Sequence, residues 1–197
     1  MPQHRFDNEK EQALRKLAAI DKSKKGSVDE PILAIISMIN LHPNYYTTSS
    51  CSGRVMVLSV SPDRRKDKTQ WLYTTHGNAV ADEVLHALYA AAHGELWLKQ
   101  EAAILHIACR DSSSAELLLA AVRTAGFKRA GIIAASRRVI LEIIGTDAVA
   151  IPLGDANQLR APPDYMIYAI SMCNSRMAEN RRKLQVLTRE LSRIFTT

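Results

Sequence analysis

The chain has 197 residues, 47% of them hydrophobic and 23% charged, a composition typical of a globular protein with one buried core. No stretch approaches the roughly 18 unbroken apolar residues of a membrane span. Three widely separated cysteines predict neither a disulfide framework nor a Cys-x-x-Cys metal site. We therefore expect a single cytoplasmic domain over residues 1–197 with no metal, and the net charge of +6 favours a polyanionic partner such as RNA.

The first half of the chain predicts two helices, two strands, a third helix and a further strand region. Apolar residues recur at helical spacing in the first twenty residues. Ser27 followed by Glu30 has the pattern of a capping box and predicts the start of a second helix. The expected elements are, in chain order, helices over 6–20 and 28–41, strands over 55–60 and 70–74, a helix over 79–92 and a strand or bent strand pair over 95–109.

The second half predicts more strands and then one long helix. Ser113 with Glu116 is a further capping box, and Gly126 should end the helix that it starts. The remaining expected elements are strands over 132–135, 139–144 and 148–153 and a C-terminal helix from residue 164 onward. This order of elements favours an α+β fold with a mixed sheet, flanking helices and a long C-terminal helix.

The run 45–54, Tyr-Tyr-Thr-Thr-Ser-Ser-Cys-Ser-Gly-Arg, is the most informative stretch of the sequence. Hydroxyl side chains bond to nearby backbone and favour turns over the interior of a sheet, so the run predicts a polar loop before the strand at 55–60. Gly53 permits a close approach of the backbone, and Arg54 offers a planar fork of donors for phosphate or carboxylate. The run is therefore either a ligand-binding loop or an ordinary Ser/Thr-rich connection.

Several other side chains have two interpretations. Cys51 and His76 could form a nucleophile and its base, although a lone cysteine among serines is more often a small packing residue. Tyr46 and Trp71 could stack on a nucleobase, or they could belong to the core. Basic residues could bind phosphates or face water, and they form the groups 22–25, 64–68 and 181–183. A glycine-rich dinucleotide fingerprint and a P-loop are both absent from the sequence.

These residues together resemble the wybutosine-synthesis tRNA methyltransferase family. The resemblance covers nearly the whole chain and is most specific in the run 45–54. Ala102 and Ala130 depart from the family pattern, which tends to have Pro and Ser there, and neither lies in that run. The stretches that carry the resemblance are Asp21–Ser23, Gly26–Asp29, the run 45–54, Trp71, His76, Ile104–Ile107, Gly126–Phe127, Val149–Leu153, and Asn174, Asn180 and Arg182.

The resemblance implies methyl transfer from S-adenosylmethionine to the N4 ring nitrogen of a 4-demethylwyosine-type guanosine beside the anticodon of phenylalanine tRNA. His76 is then the candidate to orient the base or to accept its proton. A non-catalytic RNA-binding module and a Cys-dependent hydrolase are the alternatives. The implied site residues are His76, Ser50 and Arg54 for catalysis, Ser49, Ser52, Gly53, Asp21, Ser23 and Asp29 for the cofactor, and Lys22, Tyr46, Trp71, Arg181 and Arg182 for the substrate.

Overall fold

The computed structural model describes residues 3–18, 29–63, 65–90, 93–155 and 157–195. The expected α+β class, with flanking helices and a long C-terminal helix, is confirmed. Two short 3-10 turns cover Glu30–Ile32 and Lys66–Lys68. The other elements are, in chain order, α1 (Gln3–Ala18), α2 (Leu33–Leu41), β1 (Tyr45–Cys51), β2 (Arg54–Val60), β3 (Gln70–Thr75), α3 (Ala81–Tyr89), β4 (Glu95–Glu101), β5 (Ile104–Cys109), α4 (Ser112–Thr124), β6 (Arg129–Ala134), β7 (Val139–Ile144), β8 (Val149–Asp155), β9 (Gln158–Leu159) and α5 (Pro163–Phe195).

The chain divides into two compact units, and each unit takes up separate stretches of sequence. The first unit comprises Met1–Ser52, Ala103–Thr146 and Arg181–Thr197, and the second comprises Gly53–Ala102 and Asp147–Asn180. Because neither unit is a continuous segment, the chain has no single point at which one sequence domain ends. The expectation of one domain over residues 1–197 stays a prediction.

The first unit contains a four-stranded sheet in the order β1-β5-β7-β6, and its strand pairs are antiparallel. Side chains alternate between the two faces of a strand. Leu105 and Ile107 of β5 therefore face one way and join a large apolar cluster with α2, α4 and the end of α5. On the other face, Phe6 of α1 packs on Tyr46 and Ala108. Phe6 therefore anchors α1 on this face of the sheet.

The second unit contains a five-stranded antiparallel sheet in the order β3-β2-β4-β8-β9. The apolar strand β2 lies between β3 and β4, and Val55 and Val57 are fully buried. They pack in a core with Leu88 of α3 and Ile170 of α5. Every strand pairing among the described residues of both units is antiparallel, and the strands form two sheets where the sequence predicted one.

Three local predictions are corrected by the structure. The polar loop expected over 45–54 is wrong for residues 45–51, which form strand β1. This strand is at the edge of its sheet, and Thr side chains suit the pleated surface. The cap of α4 is Asp111 and not Ser113, since the Asp111 carboxylate accepts the Ser114 N–H at 2.7 Å. The expected bent strand pair at 95–109 is two strands, one in each sheet.

Other expectations depend on residues outside the described ranges. Ser27, the expected cap of the second helix, lies outside the described residues, and so do Asp21, Lys22 and Ser23. Within the described ranges, no helix has the length and apolar character needed to cross a bilayer.

Candidate functional site

The run 45–54 is divided between the two units: residues 45–52 belong to the first unit, and Gly53 and Arg54 belong to the second. Asp29 lies just before the first 3-10 turn, and its Oδ2 accepts the backbone N–H of Ser52 at 2.8 Å. Ser52 is almost completely buried, with 1% of its surface exposed. The expected proximity of Asp29 to the run 45–54 is therefore seen, while Ser50 and Cys51 are half-buried in β1.

A row of three polar side chains crosses the same sheet. Ser49 Oγ lies 2.7 Å from His106 Nδ1, and His106 Nε2 lies 2.8 Å from Glu142 Oε2. The three residues are direct cross-strand partners on β1, β5 and β7, so their side chains share one face. Sequence reasoning named Ser49 as a site residue but did not predict its contact with His106 and Glu142, because nothing in the sequence indicates which strands are neighbours.

Tyr46 occupies the core of the first unit. Its ring is 2% exposed and packs on Phe6 with 5.2 Å between ring centroids. Its hydroxyl donates to Glu9 Oε2 at 3.3 Å, and burial raises the pKa of the Tyr46 phenol. This burial argues against the expected role of Tyr46 as a surface on which a base stacks.

Gly53 begins the second unit with a backbone conformation that suits only glycine. Its φ is +92°, and a Cβ atom there would lie 2.7 Å from the Glu101 carbonyl oxygen and 2.9 Å from Asn180 Nδ2. His76 Nδ1 lies 2.8 Å from the Gly53 carbonyl oxygen. Because a carbonyl only accepts, Nδ1 carries the proton and Nε2 carries the lone pair of the neutral ring, an assignment made from the hydrogen bond.

Arg54 is held by two neighbours in the second unit. Its Nη2 lies 2.9 Å from Glu101 Oε2, on the adjacent strand β4. Its guanidinium also lies over the ring of Trp71, 4.6 Å from the centroid. Trp71 is 51% exposed, in contrast to the core position that was its other interpretation. An exposed indole beside a guanidinium is a suitable surface for a stacked base.

The basic groups differ in how much charge they offer to a polyanion. In the loop before β3, Arg65 pairs with Asp67 at 2.9 Å and Lys68 pairs with Asp63 at 2.6 Å. These internal pairs reduce the charge available to phosphate. On α5 in the first unit, Arg181 is half-buried and Arg182 is exposed.

A wide-open groove of about 620 Å³ also occurs in the second unit, between β3 and α3. None of the predicted site residues that the structure describes lines it. Its walls are Leu72, Tyr73, Asp82, Glu83, His86, Ala87 and Ala90. The side chains expected to carry the chemistry therefore lie outside this concavity, and we base the site on the run 45–54 and its contacts.

Comparison with known proteins gives one family over most of the chain. The family model of methyltransferase TYW3 matches residues 8–193. The tRNA wybutosine-synthesizing protein 3 homolog of Xenopus laevis is 35% identical over 186 residues, which is 92% of this chain and 72% of that protein. The tRNA wybutosine-synthesizing protein 2/3/4 of Arabidopsis thaliana is 35% identical over 83% of this chain, but the chain spans only 18% of that longer protein.

Solved structures agree with the sequence relatives. The PH1069 protein from Pyrococcus horikoshii has a TM-score of 0.87 and 30% identity, over 96% of this chain and 97% of that one. A hypothetical protein from Aeropyrum pernix has a TM-score of 0.72 and 27% identity, over 84% of this chain and 98% of that one. The match to the family model from residue 8 to residue 193 shows that this chain belongs to the methyltransferase TYW3 family.

Proposed function

We propose that this protein methylates the N4 ring nitrogen of a 4-demethylwyosine-type guanosine in the anticodon loop of phenylalanine tRNA, with S-adenosylmethionine as the methyl donor. The observation that carries the proposal is the family match over residues 8–193. Relatives named for wybutosine synthesis support the tRNA substrate. Reduced cysteines and a tRNA substrate both fit the cytoplasm.

The donor set of the run 45–54 fits the proposed cofactor. A carboxylate at Asp29 suits an ammonium group or ribose hydroxyls, and the exposed hydroxyl of Ser49 can both donate and accept. Ser52 would contribute by holding the Asp29 carboxylate through its backbone N–H. Gly53 would contribute through its compact backbone, with Asp21 and Ser23 added from the sequence resemblance. S-adenosylmethionine supplies an electrophilic methyl group when it is bound. The protein then contributes mainly by aligning the ring nitrogen with that group.

The side chains of the second unit have properties that suit the target base. Stacking of a base on Trp71 would contribute about 1–3 kcal/mol, and Glu101 holds the Arg54 guanidinium beside that ring. His76 offers the lone pair of Nε2 to orient the base or to accept its proton. Arg54 and Trp71 lie on strands β2 and β3 of one sheet, and His76 directly follows β3. The sheet limits the motion of all three side chains.

The first unit would contribute catalytic Ser50 and contacts to the tRNA backbone. Ser50 is half-buried in β1, and its hydroxyl could position the base or the donor. Arg182 is exposed on α5 and can pair with a phosphate. Arg181 is half-buried, is the first residue of α5 in this unit, and is the second expected phosphate contact. Lys22, which lies outside the described residues, completes the expected substrate contacts.

The proposal is tested with the purified chain and tRNA from a strain that lacks this methyltransferase. We expect S-adenosylmethionine labelled in its methyl group to transfer the label to phenylalanine tRNA, with the product nucleoside gaining one methyl group by mass spectrometry. Arg54→Ala should reduce the transfer, and Glu116→Gln on α4 is the matched surface control. Binding of tRNA without any transfer would contradict the proposal and favour a non-catalytic RNA-binding module.

A further inference from the structure

The row Ser49–His106–Glu142 has no role in the function proposed above, apart from the expected cofactor contact of Ser49. We propose that it is a proton relay that removes the proton from the target ring nitrogen during methyl transfer. This inference rests on the proposed function. It makes His106 the terminal base of the relay.

The hydrogen bonds fix the direction of the relay. A carboxylate accepts only, so His106 Nε2 carries a proton and donates it to Glu142 Oε2 at 2.8 Å. Nδ1 of the neutral ring then has the lone pair, and Ser49 O–H donates to it at 2.7 Å. The Ser49 oxygen is left able to accept a proton from a substrate N–H. This order of donors runs from an exposed hydroxyl to a carboxylate, which is the order of a general-base array.

The reaction needs such an acceptor. The ring nitrogen forms a bond to the methyl carbon while the carbon–sulfur bond of the donor breaks, and its own N–H proton must leave. In the relay that proton passes to Ser49 Oγ as the Ser49 hydroxyl proton passes to His106 Nδ1. The imidazolium that results is stabilised by the Glu142 carboxylate. The hydrogen bond of His76 Nδ1 is to the Gly53 carbonyl oxygen, and a carbonyl stabilises an imidazolium less than a carboxylate does.

The surroundings of the relay leave it accessible. The His106 side chain is 24% exposed and the Glu142 side chain is 28% exposed. Gly131 is the cross-strand partner of Glu142 on β6, and among the described residues other than its chain neighbours no atom lies within 4 Å of the place where its Cβ would be. Among the described residues, the titratable or charged groups on this side of the sheet include Cys51 of β1, Arg129 of β6, and Glu9 of α1, whose carboxylate is paired with Arg5 and Arg138.

Glu142→Gln is the main test, because the amide can still accept from His106 but cannot stabilise the imidazolium by charge. We expect the methylation rate at neutral pH to fall by about 10²-fold, the lower end of what general acid–base catalysis contributes, because His106 itself remains. The apparent pKa of the rate profile should move down, and the deficit should shrink at high pH where hydroxide can remove the substrate proton. Glu116→Gln is the control, and the affinity for S-adenosylmethionine and the melting temperature should match those of the unchanged protein.

A second measurement needs no variant and no turnover. Nitrogen NMR of the neutral His106 ring in the unchanged protein should show Nε2 protonated and Nδ1 unprotonated. The opposite tautomer, or superimposable pH profiles for Glu142→Gln and the unchanged protein, would overturn the relay. Labelling of Ser49 by a fluorophosphonate would also overturn it, since Ser49 would then be a nucleophile for acyl transfer. Failure of the unchanged protein to methylate tRNA at any pH would instead contradict the proposed function.

Discussion

Gly53→Ala gives the sharpest test of the geometry around the run 45–54. At φ +92° an alanine is strained by about 1–2 kcal/mol. Its Cβ would also lie 2.7 Å from the Glu101 carbonyl oxygen, a backbone atom that cannot move aside as a flexible side chain can. Overpacking of this kind adds about 1–3 kcal/mol. We therefore expect a loss of about 3 kcal/mol in the free energy of unfolding.

The melting temperature converts this energy into a measurable shift. For a chain of 150–250 residues, 1 kcal/mol corresponds to about 2–4 °C, so Gly53→Ala should melt roughly 6–12 °C lower than the unchanged protein. Substitutions at two other glycines separate the contribution of backbone strain from that of steric overlap. Gly126 has φ +93° and no atom within 4 Å of its Cβ position, so Gly126→Ala should show the strain alone, about 1–2 kcal/mol.

Gly131→Ala is the control substitution, because neither strain nor steric overlap is expected there. Gly131 also has no atom within 4 Å of its Cβ position, and its φ is outside the range that L-residues avoid. Gly131→Ala should therefore melt at the same temperature as the unchanged protein or slightly higher, because alanine reduces the entropy of the unfolded chain. Thermal unfolding followed by circular dichroism measures all three. A melting temperature for Gly53→Ala equal to that for Gly126→Ala would refute the argument from steric overlap.

Four further outcomes are expected. Arg54→Ala should lower the free energy of unfolding by only about 0.5–1.5 kcal/mol, the sum of a half-exposed ion pair and a cation–π contact, while ligand binding weakens by about 1.5–3 kcal/mol. Cys51→Ser should retain methylation, since a sulfonium methyl donor needs no enzyme nucleophile. In the folded protein a thiolate-specific reagent should label Cys51 first, because burial raises the pKa of Cys109 to about 12 and of Cys173 to about 11. Replacing Arg181, Arg182 and Lys183 with neutral residues should weaken the salt dependence of tRNA binding. The slope of log K against log salt concentration should become shallower by about 0.7 for each phosphate that is no longer paired with a basic side chain.

Each of these outcomes has a result that would contradict it. Arg54→Ala with full methylation would remove Arg54 from the site, and a well-folded but inactive Cys51→Ser would favour the covalent alternative. An unchanged salt slope after substitution at 181–183 would leave that part of α5 as a solvated helix face. The buried thiols also predict a pH effect with a definite sign: the unfolded chain loses their protons above about pH 9 while the folded chain retains them, so stability should fall as pH rises beyond that value.

Local sequence was sufficient for the elements whose signal is periodic. The apolar spacing from residue 164 onward predicted the long helix α5, and the runs 55–60 and 139–144 predicted β2 and β7. In each case the side chains that repeat are the ones that the core needs, as Leu184 and Leu187 show in α5. Helix and strand periods are properties of neighbouring residues, so no knowledge of distant partners was required.

The run 45–54 shows where local sequence was insufficient for structure. Its hydroxyls favour turns, yet residues 45–51 form an edge strand because β5 supplies the hydrogen-bonding partner. Residue types alone were enough to single out this run and its resemblance to the family. They could not reveal that Gly53 lies against Glu101 and Asn180, which are distant in sequence.

The relay and the setting of Tyr46 were decided only by tertiary structure. Ser49, His106 and Glu142 lie on three strands, and their contact depends on both the order of the strands and their register. A shift of one residue in either pairing would turn a side chain to the opposite face. Tyr46 became a core residue because α1 places Phe6 on it. Sequence therefore determined the family and the periodic elements, whereas strand pairing determined which polar side chains meet, because those contacts join residues that no local pattern connects.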